Sequence, residues 1–162
     1  MRSYFSFDNN GNRILYEYWF WDTDLDEWYG FRKNIYAYDD LGNRTLEKSW
    51  KWDSDIKNWY NNALYEWEYC QFGYQVYTKW KWNRDLNKWE GQMSRQNFYS
   101  DNGDDTLSYS LLWDENHWKF LWKYENSFDE NGNTVLTYMY NWNTDSTVWE
   151  NMRKTTRSYT TF

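Results

Sequence analysis

Residues 38–59 read YDDLGNRTLEKSWKWDSDIKNW, and this stretch contains both features that decide the fold. It opens on an aromatic-Asp-x-x-Gly-Asn segment, in which Asp suits the first position of a type I turn and Gly supplies the positive φ of the bulge that follows. It ends on two tryptophans, Trp52 and Trp59, on either side of a short polar segment. The residues between these features alternate in polarity with the period of two that is typical of a strand. The stretch therefore predicts a tight turn, a strand, a looser loop and the start of a second strand.

Both features recur five times in phase, which is the signature of an internal repeat. The turn glycines, spaced 31, 31, 30 and 29 residues apart, are Gly11, Gly42, Gly73, Gly103 and Gly132. The tryptophan pairs are Trp21/Trp28, Trp52/Trp59, Trp82/Trp89, Trp113/Trp118 and Trp142/Trp149. We predict a single repeat domain over residues 1–162. It has a half-repeat at 1–6 and five repeats at 7–37, 38–68, 69–98, 99–127 and 128–162.

Each repeat supplies two antiparallel strands, so the chain is predicted to be all-β, an up-and-down meander of about eleven long strands. A sheet with one apolar face must bury that face against something. Closure into a barrel, or tight coiling of the sheet, does so and removes the free edges. In the closed form the first strand pairs with the last, residues 149–160. An open single-layer sheet is the alternative.

Alignment of the strands outward from the tryptophan pairs indicates which face is packed. Trp19 falls opposite Gly30, whereas Leu111, in the corresponding position, falls opposite the larger Phe120. Large residues opposite small ones are how a packed face is filled. We therefore predict a structural aromatic core, and an open platform of rings that stacks on sugars is the alternative. The core residues are Trp19, Trp21, Trp28, Trp50, Trp52, Trp59, Trp80, Trp82, Trp89, Trp113, Trp118, Trp142 and Trp149.

The opposite face is mostly polar in the later repeats but apolar in the first. An exposed apolar patch of this size usually marks a contact surface. The alternatives are that a neighbouring domain or second chain covers it, or that the sheet curls over it. Ile14 and Ile35 extend the patch. The candidate ligand- or partner-binding residues are Tyr4, Tyr16, Tyr18, Phe20, Tyr29 and Phe31.

The chain contains no recognisable catalytic motif, although an active site could be built from its many Asp and Tyr residues. His117 is the single histidine and falls in a short loop, and Cys70 has no second cysteine with which to form an intrachain disulfide. Asp22, Asp24 and Asp26 resemble the start of a calcium loop, but the following Gly and the bidentate Glu at the twelfth position are missing. We predict no enzyme, no catalytic residue, no cofactor and no metal. A surface calcium site at these three aspartates is the alternative.

Charge narrows the class of partner. The net charge is −7 and no basic stripe offsets it, which argues against nucleic acid. No segment is apolar enough for membrane insertion. Glu17 falls opposite Arg32 in the middle of a strand, where the two charges should neutralise each other. The expected partners are a carbohydrate or protein surface, with self-association as a further option.

The turn sequences Tyr38-Asp39-Asp40-Leu41-Gly42-Asn43 and Phe128-Asp129-Glu130-Asn131-Gly132-Asn133 resemble the YD repeats of Rhs-like and teneurin-like proteins. With Trp-Asp before the loop and Trp after it, the pattern is more similar to tandem repeats of secreted proteins of Bacteroidetes. The resemblance covers essentially the whole chain and implies a secreted or cell-surface β-repeat region. YD repeats have a shorter period and wind into hollow shells. The third and fourth turns, at Cys70 and Ser100, also depart from the motif.

Three functions are consistent with these features. The first is a non-catalytic, secreted or surface module that binds a glycan, polymer or protein through aromatic side chains. The second is a structural repeat unit whose first hairpin docks on another chain. The third is an inhibitor or toxin-associated barrel, although bulky tryptophans leave little room for a lumen.

Overall fold

The structure, a computed structural model, describes residues 1–159, which contain eleven β-strands and no helix. The strands form one antiparallel sheet in chain order, and the sheet is open. The strands are β1 (Arg2–Phe7), β2 (Arg13–Asp22), β3 (Glu27–Tyr38), β4 (Arg44–Asp53), β5 (Asn58–Cys70), β6 (Gly73–Asn83), β7 (Lys88–Tyr99), β8 (Asp105–Asp114), β9 (His117–Phe128), β10 (Thr134–Asn143) and β11 (Val148–Thr156). The all-β meander is confirmed.

The expected closure of the sheet is wrong, and the open single-layer alternative is correct. Closure is expected because a long open edge promotes association. The two edge strands are not of that kind: β1 has only six residues, and β11 carries Glu150, Arg153 and Lys154. Shortness and charge both discourage edge-to-edge pairing, so an open sheet is tolerated. Residue 160 of the predicted last strand lies outside the described residues.

The tight turns are closed by the Asp and Asn of the repeated motif. At Asp39, the backbone N–H donates to the Asn43 carbonyl (2.9 Å), and the Gly42 N–H donates to the Asp39 carbonyl (3.0 Å). The Asp39 carboxylate also accepts bonds from the Asn43 backbone N–H (2.8 Å) and side-chain amide (2.9 Å). Gly42 has a φ of 83°, which favours glycine. The turns at Asp8 and Asp129 repeat this arrangement.

A tyrosine at the end of a return strand, or shortly after it, ties that strand to the start of the preceding strand at the tight-turn end of the sheet. In three repeats its hydroxyl donates to a backbone carbonyl 25 residues earlier, at 2.8–3.2 Å. These bonds join Tyr38 to Arg13, Tyr99 to Tyr74 and Tyr159 to Thr134. The aromatic residue of the motif therefore has a structural role.

A β-bulge recurs on the return strand of the hairpins and was not predicted. The register shifts by one residue beyond the tryptophan pair because an extra residue has no cross-strand partner. The bulged residues are Phe31, Asn62, Leu121 and Met152. The predicted pairing of Glu17 with Arg32 is consequently wrong. Glu17 lies opposite Lys33, with 3.3 Å between the ammonium and a carboxylate oxygen.

The tryptophan pairs themselves are confirmed. All five pairs have ring centroids 5.0–5.4 Å apart and planes 67–77° apart, which is the favoured edge-to-face arrangement. Trp19 lies opposite Gly30, as predicted. A Cβ atom at Gly30 would lie 2.5 Å from the Trp59 ring and 2.7 Å from the Trp52 ring. Glycine is required because rings of the next repeat cover its backbone.

The chain divides into two compact units. The first contains residues 1–67 and 79–90, and the second contains 68–78 and the described residues from 91 onward. The buried hydrophobic side chains are Tyr36 and Ala63 in the first unit and Leu111 in the second. Polar side chains are buried as well, among them Asn34 in the first unit and Asn97 and Ser108 in the second. The single layer thus leaves most of its aromatic surface at least partly exposed.

Candidate functional site

A continuous row of aromatic rings crosses one face of the first hairpin, β2–β3, and its neighbour β1. Alternation along β2 places Tyr16, Tyr18 and Phe20 on the face opposite the tryptophan pairs. Successive ring centroids are 5.2 and 6.2 Å apart along these three residues. Phe5 lies 5.4 Å from Tyr16 at one end, and Phe31 lies 5.0 Å from Phe20 at the other. We call Phe5, Tyr16, Tyr18, Phe20, Tyr29 and Phe31 the aromatic row.

The row is accessible because no second layer covers it. Phe31 is 61% exposed, Phe5 46% and Tyr29 37%, whereas the three β2 rings between them are half-buried against one another. The bulge at Phe31 adds a ring to this face. A surface bulge that redirects a side chain is a frequent feature of binding sites.

Two residues of the predicted patch lie on the other face. Tyr4 pairs with Glu17, and Ile35 pairs with Leu15, so both share the face of the tryptophans. Ile35 changes face because the bulge at Phe31 reverses the alternation of β3 from that point onward. Phe5, which the sequence interpretation did not include, takes the place of Tyr4 in the row.

The predicted tryptophan core is only partly buried. None of its thirteen tryptophans is fully buried, and Trp21 is 41% exposed. The physical reason is that an open single layer has no opposing sheet, so the rings shield one another laterally. Trp19, for example, lies 5.0 Å from Trp52 and 5.5 Å from Trp59, ring centroid to ring centroid.

Two arginines flank the aromatic row, and sequence reasoning missed both. The guanidinium carbons of Arg13 and Arg32 lie 5.1 and 5.8 Å from the centroid of the Tyr16 ring, within cation–π range. A signal for them existed in the repeat alignment. Thirty-one residues after Arg13 and Tyr16 stand Arg44 and Glu47, so the first repeat has an aromatic residue where the second has an acid.

A buried amide connects the two hairpins on this face. Asn34, only 1% exposed, accepts a bond from Nε of Arg32 (3.0 Å) and donates to Glu47 (2.7 Å). The second carboxylate oxygen of Glu47 pairs with Arg44 at 2.9 Å. Both carboxylate oxygens of Glu47 are therefore engaged, and the side chain of Arg32 is held in place.

A second cluster lies in the other unit, around a cavity of about 470 Å³ lined by residues that include Cys70, Asn97 and Tyr99. Nearby, the Oδ1 atom of Asp105 is buried without a hydrogen-bond partner among the described residues. Burial raises the pKa of Asp105, although Arg95 opposes the shift. Burial also raises the pKa of Tyr99, with a smaller contribution from Asp105.

The three aspartates of the calcium alternative act as loop residues. The Oδ1 atom of Asp22 accepts the backbone N–H groups of Asp24 (2.9 Å) and Leu25 (3.1 Å), and Asp26 has a φ of 53°. This is the Asx arrangement that stabilises turns. Across residues 1–159, no cluster of three or more His, Cys, Asp or Glu side chains is placed to hold a metal ion. His117 contacts the backbone carbonyl of Glu115 within its own loop.

The part of the chain that the structure describes contains no helix of the length and hydropathy needed to cross a bilayer.

No protein-family model and no curated protein matches the chain. Among solved structures, a protein of unknown function from Bacteroides fragilis is similar, with a TM-score of 0.57 and 16% identity. The alignment covers 78% of this chain and 93% of that one. A DUF3836 family protein from Bacteroides vulgatus has a TM-score of 0.44 and 20% identity, over 56% of this chain and 91% of its own. At this identity the first similarity shows the fold alone, and the second is too weak to support an inference about this chain.

Proposed function

We propose that the chain is a non-catalytic, secreted or cell-surface module that binds a glycan, polymer or protein through the aromatic row. The observation that carries the proposal is the row itself: six neighbouring rings on one face of the first hairpin and of β1 beside it, three of them more than a third exposed. Aromatic side chains dominate the energetics of recognition surfaces. The resemblance to secreted tandem repeats supports the surface location.

The proposal is tested with a glycan array and a pull-down against an immobilised peptide library. The wild-type chain should bind at least one class of ligand. Phe31→Ala should weaken that binding by about tenfold or more, because aromatic side chains that become buried on binding contribute most of the energy at such surfaces.

Met152→Ala is a matched control. Met152 occupies the same bulge position in the fifth repeat and is 58% exposed, against 61% for Phe31, but no aromatic row surrounds it. Its replacement should leave binding unchanged. Equal losses for the two variants, or no ligand of any class for the wild-type chain, would refute the proposal.

A second candidate function is assembly, in which the first hairpin docks on another copy of the chain. It is favoured by the exposure of β1, where Tyr4, Phe5 and Phe7 are 46–58% exposed on an edge strand. Light scattering over a hundredfold range of concentration distinguishes the two functions. A mass that rises with concentration, and returns to the monomer value in Phe5→Ser, supports assembly.

A further inference from the structure

The arginines beside the aromatic row have no acidic partner. Within residues 1–159, no carboxylate oxygen lies within ion-pair distance of Arg13 or Arg32; the ion pairs involve other cations. Both guanidinium groups contact the Tyr16 ring instead. This hairpin thus presents two uncompensated positive charges on a chain whose net charge is −7.

The second hairpin shows how the same backbone positions are neutralised. Arg44, the counterpart of Arg13, forms an ion pair of 2.9 Å with Glu47. The counterpart of Glu47 in the first hairpin is Tyr16, which contributes a ring and no charge. Because the first hairpin has Tyr16 where the second has Glu47, it gains a ring of the aromatic row, and Arg13 forms no ion pair within the described residues.

Arg32 is held in position by a hydrogen bond that leaves most of its N–H donors unengaged. A guanidinium group carries five N–H donors, and the hydrogen bond of Arg32 to Asn34 engages only the one on Nε. Asn34 is fixed in turn by its bond to Glu47. The terminal nitrogens of Arg32 remain for a ligand, and a preorganised donor loses less entropy when it binds.

The surface around the arginines combines rings with neutral and charged polar groups. Arg13 lines a shallow depression of about 400 Å³ together with Phe5 and Phe7. Arg32 lines a second depression, of about 390 Å³, whose lining includes Phe31, Ser49, Asn62 and Tyr65. Lys51 and Glu47 line it as well, and both carboxylate oxygens of Glu47 are engaged, by Asn34 and Arg44. A ligand that fits both would need anionic groups, apolar C–H faces for the rings, and hydroxyls for the amides and the serine.

We propose that the first hairpin binds an acidic polysaccharide, with Arg13 and Arg32 taking its carboxylate or sulfate groups and the aromatic row taking its sugar rings. The inference rests on the proposed binding function and specifies its ligand. The planar donor fork of arginine matches both anions. Repulsion from the rest of the chain does not prevent contact, because salt screens charges beyond about 8 Å at physiological ionic strength.

The experiment is a calorimetric titration of the full chain with polygalacturonate, with its fully methyl-esterified form, with dextran sulfate and with poly-glutamate. Polygalacturonate and dextran sulfate should each bind about tenfold or more tightly than the esterified polymer, since hydrogen bonds to charged groups are the strong ones. Affinity should fall as salt is added. The double variant Arg13→Ala/Arg32→Ala should lose this preference for acidic polymers.

Arg153→Ala is the control, because Arg153 follows the bulge of the fifth repeat as Arg32 follows that of the first. It should retain the wild-type preference. Unfolding curves confirm that each variant is folded before titration.

Three results would overturn the inference. One is equal affinity for the acidic and esterified polymers. Another is equal loss in the control and the double variant. The third is binding of poly-glutamate as tight as that of polygalacturonate with the same dependence on arginine, which would identify an acidic peptide as the ligand. If Phe31→Ala still abolishes binding to an array ligand, the proposed binding function survives any of them.

Discussion

The first two hairpins of the sheet share one backbone and differ on one face. Both have the Asp-x-x-Gly-Asn turn, an edge-to-face tryptophan pair and a bulge at the same position, Phe31 in one and Asn62 in the other. On the face away from the tryptophans, Tyr16 and Tyr18 of the first correspond to Glu47 and Ser49 of the second. The two hairpins therefore share their turns, bulges and tryptophan pairs and differ in the residues of the remaining face.

The largest expected loss of stability comes from a substitution that fills the space at Gly30. Gly30→Ala should destabilise the chain by about 1–3 kcal/mol, because the added methyl group would overlap the rings of Trp52 and Trp59. Chemical denaturation measures the loss. Asn151, the counterpart of Gly30, lies exposed on the edge strand β11, so Asn151→Ala should be nearly neutral. Similar losses at both positions would contradict the close approach of the rings.

A smaller effect, equal in both hairpins, is expected at the tight turns. Asp8→Ala and Asp39→Ala should each lower the melting temperature by roughly a few degrees at pH 7. The hydrogen bond from the Asn43 side chain is the main cause that holds the pKa of Asp39 below its ordinary value of 3.8, and Asn12 acts in the same way on the pKa of Asp8.

The pH dependence of these two variants follows from the sign of the shift. A carboxylate with a lowered pKa in the folded chain contributes stability that is fully present above pH 3.8 and is lost as the pH falls through the folded value. The gap in melting temperature between wild type and variant should therefore narrow in acid. A gap that stays constant down to pH 2.5 would show that the loss is not due to the charged carboxylate.

The smallest effect on stability should come from the face that varies. Phe31→Asn gives the first hairpin the residue of the second, and its free energy of unfolding should change by less than about 1 kcal/mol, since Phe31 is mostly exposed. Binding through the aromatic row should nevertheless fall. The reciprocal change, Asn62→Phe, should leave stability similarly unaffected without creating binding. A loss of stability comparable to that of Gly30→Ala would mean that the aromatic row belongs to the core.

The features that could be predicted from the sequence are those that depend on residue type at nearby positions. The turns, the five tryptophan pairs, the number of strands and the pairing of Trp19 with Gly30 all follow from local patterns. The bulges could not be predicted in this way, because Phe31, Asn62 and Met152 share no chemistry that marks them. Their consequence was a reversed alternation, which misplaced Ile35 and paired Glu17 with the wrong cation.

The open sheet and the arginines were missed for different reasons. Closure of the sheet depends on the whole chain and not on a local pattern. The short first strand and the charged residues of the last strand discourage edge-to-edge pairing, so the sheet can stay open. In the sequence alone, Arg13 and Arg32 resemble ordinary surface cations. The repeat alignment places Tyr16 where the second hairpin has Glu47, but only the structure shows that neither arginine forms an ion pair within the described residues.

The tyrosine hydroxyl that reaches back 25 residues bears on how such a chain can change in length. Each of these bonds, made by Tyr38, Tyr99 and Tyr159, stays within one hairpin, because it joins the end of the return strand to the start of the strand before it. No bond of this kind depends on the total number of copies. A gene could therefore gain or lose one whole repeat and leave every remaining bond of this kind intact, which favours an array that can lengthen or shorten.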